Sequence, residues 1–74
     1  MIRDRATLQE QLAEAERKAA EVFEEIRRQR ELVSRLERNG QDASPNKVIL
    51  FRLEQMEVQH LSERVRLISA LWVP

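Results

Sequence analysis

The chain's single histidine stands three residues after a glutamate, in the segment Glu57-Val58-Gln59-His60. On a helix, a Glu-x-x-His pair aims a carboxylate and an imidazole the same way. In dimetal carboxylate bundles two such pairs combine with one glutamate from each of two further helices. Metal chemistry here would therefore use Glu57, His60 and a carboxylate from another helix, for which Glu25 is the candidate. The residue expected to face the pair is Gln29, which carries no negative charge, and a metal is held only where several ligands converge. The spacing also arises easily in a chain rich in glutamate. The leading expectation is instead that Gln29, Glu57, His60 and Arg64 form a hydrogen-bonded polar layer that sets helix register and oligomer state. No resident metal or cofactor is expected.

Other chemistries find fewer of their parts. With no cysteine, no tyrosine and one histidine, there is no Cys/His pair, and neither Ser34 nor Ser62 has a base and an orienting group beside it in the sequence. Gly40 is the only glycine, so no phosphate-cradling loop exists. The many carboxylates fall on open helix faces, without the desolvated pocket that tunes an acid or a base. No catalytic residue is assigned, and an enzyme is not expected.

The elements that must position these residues are helices. A chain of 74 residues with 42% hydrophobic and 35% charged residues has the composition of long helices or coiled coils. Thr7-Leu8-Gln9-Glu10 fits a capping box, so helix 1 is predicted over about residues 8–39, with Met1 to Ala6 frayed or extending it irregularly. Leu8, Leu12, Ala15, Ala19, Val22, Ile26, Gln29, Val33 and Leu36 follow at alternating spacings of four and three, a heptad seam with one polar member. Phe23 and Leu32 flank it. Glu14 with Lys18, Glu24 with Arg28 and Glu31 with Arg35 have the spacing of i,i+4 ion pairs on the outer face.

Asn39-Gly40 is a helix stop and Ser44-Pro45 a helix start, with Ser44 as N-cap and Pro45 in the first turn. Residues 40–44 are then a turn of αα-hairpin length, followed by helix 2 over about residues 45–72. On helix 2 the expected inner face is Leu50, Leu53, Leu61, Val65, Ile68, Leu71 and Trp72. Ile49, Met56, His60 and Leu67 lie down one flank, and Phe51 and Val58 down the other. Folding about the turn sets Gln29 near Met56 and Glu57, Ile26 near His60 and Ala15 near Leu71. The expected fold is all-α, one domain over residues 1–74, an antiparallel two-helix hairpin of coiled-coil type. Its apolar arcs exceed what one partner helix buries, so dimerisation into a four-helix bundle is expected, with a homodimer as the simplest assembly.

The C-terminal residues Leu67, Ile68, Leu71 and Trp72 have two readings. They pack on Leu12, Ala15 and Ala19 as core, or they form a docking patch for another protein with Trp72 as anchor.

Thirteen basic and thirteen acidic residues cancel, nine against nine up to Asn39 and four against four from Gly40 onward. Neither half is a footprint for a polyanion, which argues against a nucleic-acid-associated coiled coil and against an anionic membrane surface. The longest apolar runs are the short stretches Val48 to Phe51 and Ala70 to Val73. Neither a signal peptide nor a membrane span is read, and the expected location is the cytoplasm.

The segments Arg28 to Leu32, Leu36 to Asp42, and Glu54, His60 and Arg64 to Leu67 resemble a group of short bacterial proteins of alphaproteobacterial type. That group shares an Arg-Gln-Arg-Glu-Leu stretch, a Leu-Glu-Arg-x-Gly-x-Asp turn and a later Glu…His…Arg-x-Arg-Leu segment. It has no assigned activity. The resemblance covers half to two-thirds of the chain and departs at Glu57, where the group has an uncharged Gln. It implies an autonomous bacterial protein, and the departure favours the polar layer over a metal ligand at Glu57. The function expected overall is a non-enzymatic, self-associating helical-hairpin module that serves as a protein–protein interaction, adaptor or regulatory protein. A metal-binding four-helix bundle is the alternative.

Overall fold

The computed structural model describes residues 4–72. It contains two helices, α1 over Arg5–Arg38 and α2 over Ser44–Trp72, packed antiparallel as an all-α hairpin. Helix α1 starts earlier than the capping-box motif indicates. Asp4 is its N-cap, in an extended conformation, with Oδ1 accepting from the Ala6 N–H at 3.2 Å. An aspartate satisfies a first-turn amide and also complements the positive end of the helix dipole, and Arg5 and Ala6 are good helix formers, so the helix nucleates ahead of Thr7. Of the segment expected to fray or to extend the helix irregularly, Arg5 and Ala6 are helical, and Met1 to Arg3 lie outside the described residues.

The turn closes as the sequence indicates. Gly40 has φ 69°, the left-handed conformation, and the Gln41 N–H donates to the Leu36 carbonyl at 2.8 Å while the Gly40 N–H donates to that of Glu37 at 3.1 Å. These two bonds are a Schellman motif, which satisfies carbonyls that a helix end would otherwise leave open. Helix α2 begins one residue earlier than expected. The Asp42 carboxylate accepts from the Ser44 N–H at 3.0 Å, and the Ala43 carbonyl accepts from the Lys47 N–H at 2.9 Å. Ser44 is thus inside the first turn. Ala43, to which the sequence pattern gives no role, is buried.

All nine members of the α1 seam are buried or half-buried. Ile26, 2% exposed, and Leu67, 1% exposed, are the most enclosed large side chains. Leu67 forms a cluster with Leu8 and Ala15 at the end of the hairpin opposite the turn, with Leu12, Ala70 and Leu71 against it.

Helix α2 is turned differently from the face expected of it. The residues toward α1 are Asn46, Leu50, Leu53, Glu57, His60, Leu67 and Leu71, all buried or half-buried, with Arg64 at the edge of the same stripe. Leu61 and Val65, expected inside, are exposed, and Trp72 is 83% exposed. Leu67, expected on a flank, is central. Two stripes of the same three–four spacing run along α2, the second being the first displaced by one residue: Phe51, Glu54, Val58, Leu61, Val65, Ile68 and Trp72. One residue is about 100° of helix rotation, so periodicity alone does not choose between them. The choice is made at the turn, where Ala43 is buried and Asp42 caps. Three ion pairs between the helices hold it: Lys47 to Glu37 at 3.1 Å, Arg30 to Glu54 at 3.8 Å and Arg64 to Glu16 at 3.3 Å.

On the outer surface of α1 the ion pairs differ in detail from the expected set. Glu14 reaches Lys18 at 3.9 Å, but Arg27 takes both Glu24 and Glu31, Arg28 takes Glu25, and Arg17 takes both Glu14 and Glu21. A planar guanidinium fork reaches a carboxylate three residues before it and another four after it, which a single i,i+4 pairing scheme leaves out.

Candidate functional site

The four residues of the expected polar layer separate into different partnerships. Gln29 is half-buried, and its Oε1 accepts from Asn46 Nδ2 at 3.4 Å, nearer the turn than the expected contact with Glu57. Arg64 reaches across to Glu16 at 3.3 Å. Glu57 and His60 are half-buried on the stripe facing α1, and among the described residues neither has a hydrogen bond or ion pair to another side chain. The sequence missed Asn46, Glu16 and Glu54 as cross-helix partners. Glu16 and Glu54 are polar residues one step from apolar seam positions, Asn46 is a polar member of the stripe itself, and which side of the seam a polar group takes depends on the rotation of α2.

Glu25, the candidate third metal ligand, is bonded to Arg28 on its own helix. That guanidinium hydrogen-bonds the carboxylate and holds it below its ordinary range. Among the described residues, no group of three or more His, Asp and Glu side chains is placed to hold a metal ion.

His60 lines a shallow groove of about 460 Å³, where it meets Glu10, Glu14 and Lys18 from α1 and Glu63 and Arg66 from α2. Two of the three carboxylates there, Glu14 and Glu63, are ion-paired. Glu14 is held below its usual range by hydrogen bonding to Arg17 and by the charges of Arg17 and Lys18, and Glu63 is paired with Arg66. A general acid or base is tuned by desolvation, and this groove is open to solvent.

The C-terminal residues divide between the two readings. Leu67 and Leu71 belong to the packed end cluster, and Ile68 is half-buried, whereas Trp72 stands in solvent. Trp72 is the last of four large apolar residues spaced seven apart, after Phe51, Val58 and Val65, which are 63%, 62% and 63% exposed. Leu61 lies between them, and Val58, Leu61, Ser62 and Val65 line one continuous, largely apolar groove on the outside of α2. Sequence reading placed Phe51 and Val58 on a flank; the signal that joins them to Val65 and Trp72 is the seven-residue repeat.

Among the described residues no helix is long and apolar enough to cross a membrane. Comparison with protein-family models, with curated proteins and with solved structures finds no match to this chain.

Proposed function

We propose that this chain is a non-enzymatic helical-hairpin module for protein–protein interaction, acting in the cytoplasm as an adaptor or regulatory protein, and that the outer stripe of α2 is its contact surface. The bacterial group it resembles would then share a scaffold of this kind. One observation carries the proposal: Phe51, Val58, Val65 and Trp72 repeat at coiled-coil spacing yet are left uncovered by α1. Scattered exposed apolar residues are ordinary, whereas a periodic, contiguous set marks a place where another helix lies.

The test uses the intact chain and two variants, Val58→Arg and Trp72→Ala. Both positions are exposed, so far-ultraviolet circular dichroism should show unchanged helicity. Chemical cross-linking in native cells should give complexes for the wild type that Val58→Arg loses and Trp72→Ala weakens. A chain that forms no complex of any kind, with itself or another protein, would refute the proposal.

A further inference from the structure

The uncovered stripe of α2 is complementary to itself. Its inner border carries Glu57 and Arg64, of opposite charge and seven residues apart, while its outer border carries only the uncharged Gln55, Ser62 and Ser69. Against a second copy running antiparallel, layers of Val58 on Leu61 repeat on both sides of a two-fold axis. The same alignment brings each Glu57 beside the Arg64 of the other chain, sets Phe51 against Ile68 and sets Val65 against Glu54, whose carboxylate is paired with Arg30 of its own chain. A parallel alignment instead stacks Glu54 on Glu54 and leaves Glu57 and Arg64 facing serines. Opposite charges meet only in the antiparallel case, and identical patches related by two-fold rotation form the commonest closed assembly.

Arg64 is suited to such a border. It contacts Glu16 through Nε at 3.3 Å and its side chain is about half exposed, which leaves guanidinium N–H groups for a second carboxylate. Glu57 has no charged partner within its own chain among the described residues.

Surface area points the same way. The chain exposes 5913 Å², about 1,100 Å² more than a compact monomer of its mass. A standard stable interface removes about 800 Å² from each partner. The excess of this hairpin is therefore of the size one such contact covers.

We infer that the hairpin forms a two-fold dimer through antiparallel packing of α2 on α2, with Val58 against Leu61 and Glu57 beside Arg64 across the axis. The inference rests on the proposed role of the outer stripe as a contact surface, and names what covers it.

Sedimentation equilibrium of the purified full chain, from low to high micromolar, is the first test. The expected result is a dimer for the wild type and a dissociation constant raised at least about tenfold for Val58→Arg, roughly the cost of burying one mismatched side chain. Helicity at low concentration should not change. The chain has no cysteine, so orientation is read by oxidising an equimolar mixture of Val58→Cys and Leu61→Cys chains. Antiparallel packing yields the mixed 58–61 disulfide in excess over the two homodimers, whereas parallel packing yields homodimers. A wild type that stays monomeric overturns the inference, and if Val58-dependent cross-links to another protein persist in cells, the interaction-module proposal survives it. A dimer indifferent to Val58→Arg, or one that gives mainly homodimer disulfides, also overturns it while leaving self-association in place.

Discussion

Replacing Leu67 by alanine tests the rotational setting of α2. Leu67 is 1% exposed and packs on Leu8 and Ala15. Full burial of a leucine side chain is worth about 1.5–3 kcal/mol in transfer free energy, and Leu→Ala changes in well-packed cores cost about 2–5 kcal/mol once the cavity is included. This hairpin is one layer thick, with extents of 57 × 15 × 14 Å. Its walls can relax into a void from the solvent side, so the lower end applies, about 2–3 kcal/mol. Domains of this size have a total stability of about 4–11 kcal/mol and move by about 4–8 °C in Tm per kcal/mol. The expected loss in Tm is therefore on the order of 10–20 °C. Met56→Ala is the control. Met56 lay on the same expected flank as Leu67 but is 44% exposed, so its truncation gives up about half the transfer term and little cavity, about 1 kcal/mol or less. Thermal melts followed by circular dichroism at low micromolar concentration measure both. A Met56→Ala variant as destabilised as Leu67→Ala, or a Leu67→Ala variant within a few degrees of wild type, would refute the described packing of α2.

Three further outcomes are expected. Gly40→Ala should cost about 1–2 kcal/mol in urea unfolding, because the left-handed φ is strained for any residue with a Cβ, although nothing lies within 4 Å of the site to clash; a neutral result would show that the turn does not close through the Schellman bonds. Asp4→Ala should cost about 1 kcal/mol as a lost N-cap while Thr7→Ala costs only a few tenths, and the reverse order would restore the capping box at Thr7. Asp42, held low by hydrogen bonds from Ser44, and Glu14 and Glu25, held low by Arg17 and Arg28, have folded values below their ordinary 3.8 and 4.5. The unfolded chain takes up protons first as pH falls, so this stabilisation is full above those ordinary values and is lost as pH drops through the depressed folded ones. The melting temperature should hold from neutral pH to about pH 5 and decline below it, less steeply in high salt because the groups are exposed; stability that rose on acidification would contradict these pairings.

The seam of α1 was legible in the sequence because its nine members keep one spacing and no rival stripe competes with them. The helix stop at Asn39-Gly40 was legible for a local reason, since a left-handed glycine and the Schellman bonds depend only on residues within one turn. The inner face of α2 was not, because two stripes one residue apart satisfy the same pattern and the more apolar one is the one left outside. Hydrophobicity ranks Val58, Leu61 and Val65 above Asn46, Glu57 and His60. The four polar residues are not brought together within one chain for the same cause: with α2 turned by one residue, Gln29 meets Asn46, Arg64 reaches Glu16, and Glu57 and His60 remain unpaired among the described residues.

The cluster of Leu8, Ala15 and Leu67 lies as far from Gly40 as the hairpin allows. Bringing Leu8 to Leu67 unaided closes a loop of 59 residues, which costs about 2 kcal/mol more chain entropy than closing the turn itself. Assembly by zipping from Gly40 outward avoids that cost, and the leucine cluster then acts as a clasp that stops the open end from peeling. Between clasp and turn, Val22, Ile26 and Val33 are buried on α1, and the Arg30–Glu54 and Arg64–Glu16 pairs cross between the helices, so the zipper finds footholds along its whole length. The groove of Val58 and Leu61 lies on the outer side of this middle span, so the surface it offers is backed on the inner side by buried residues.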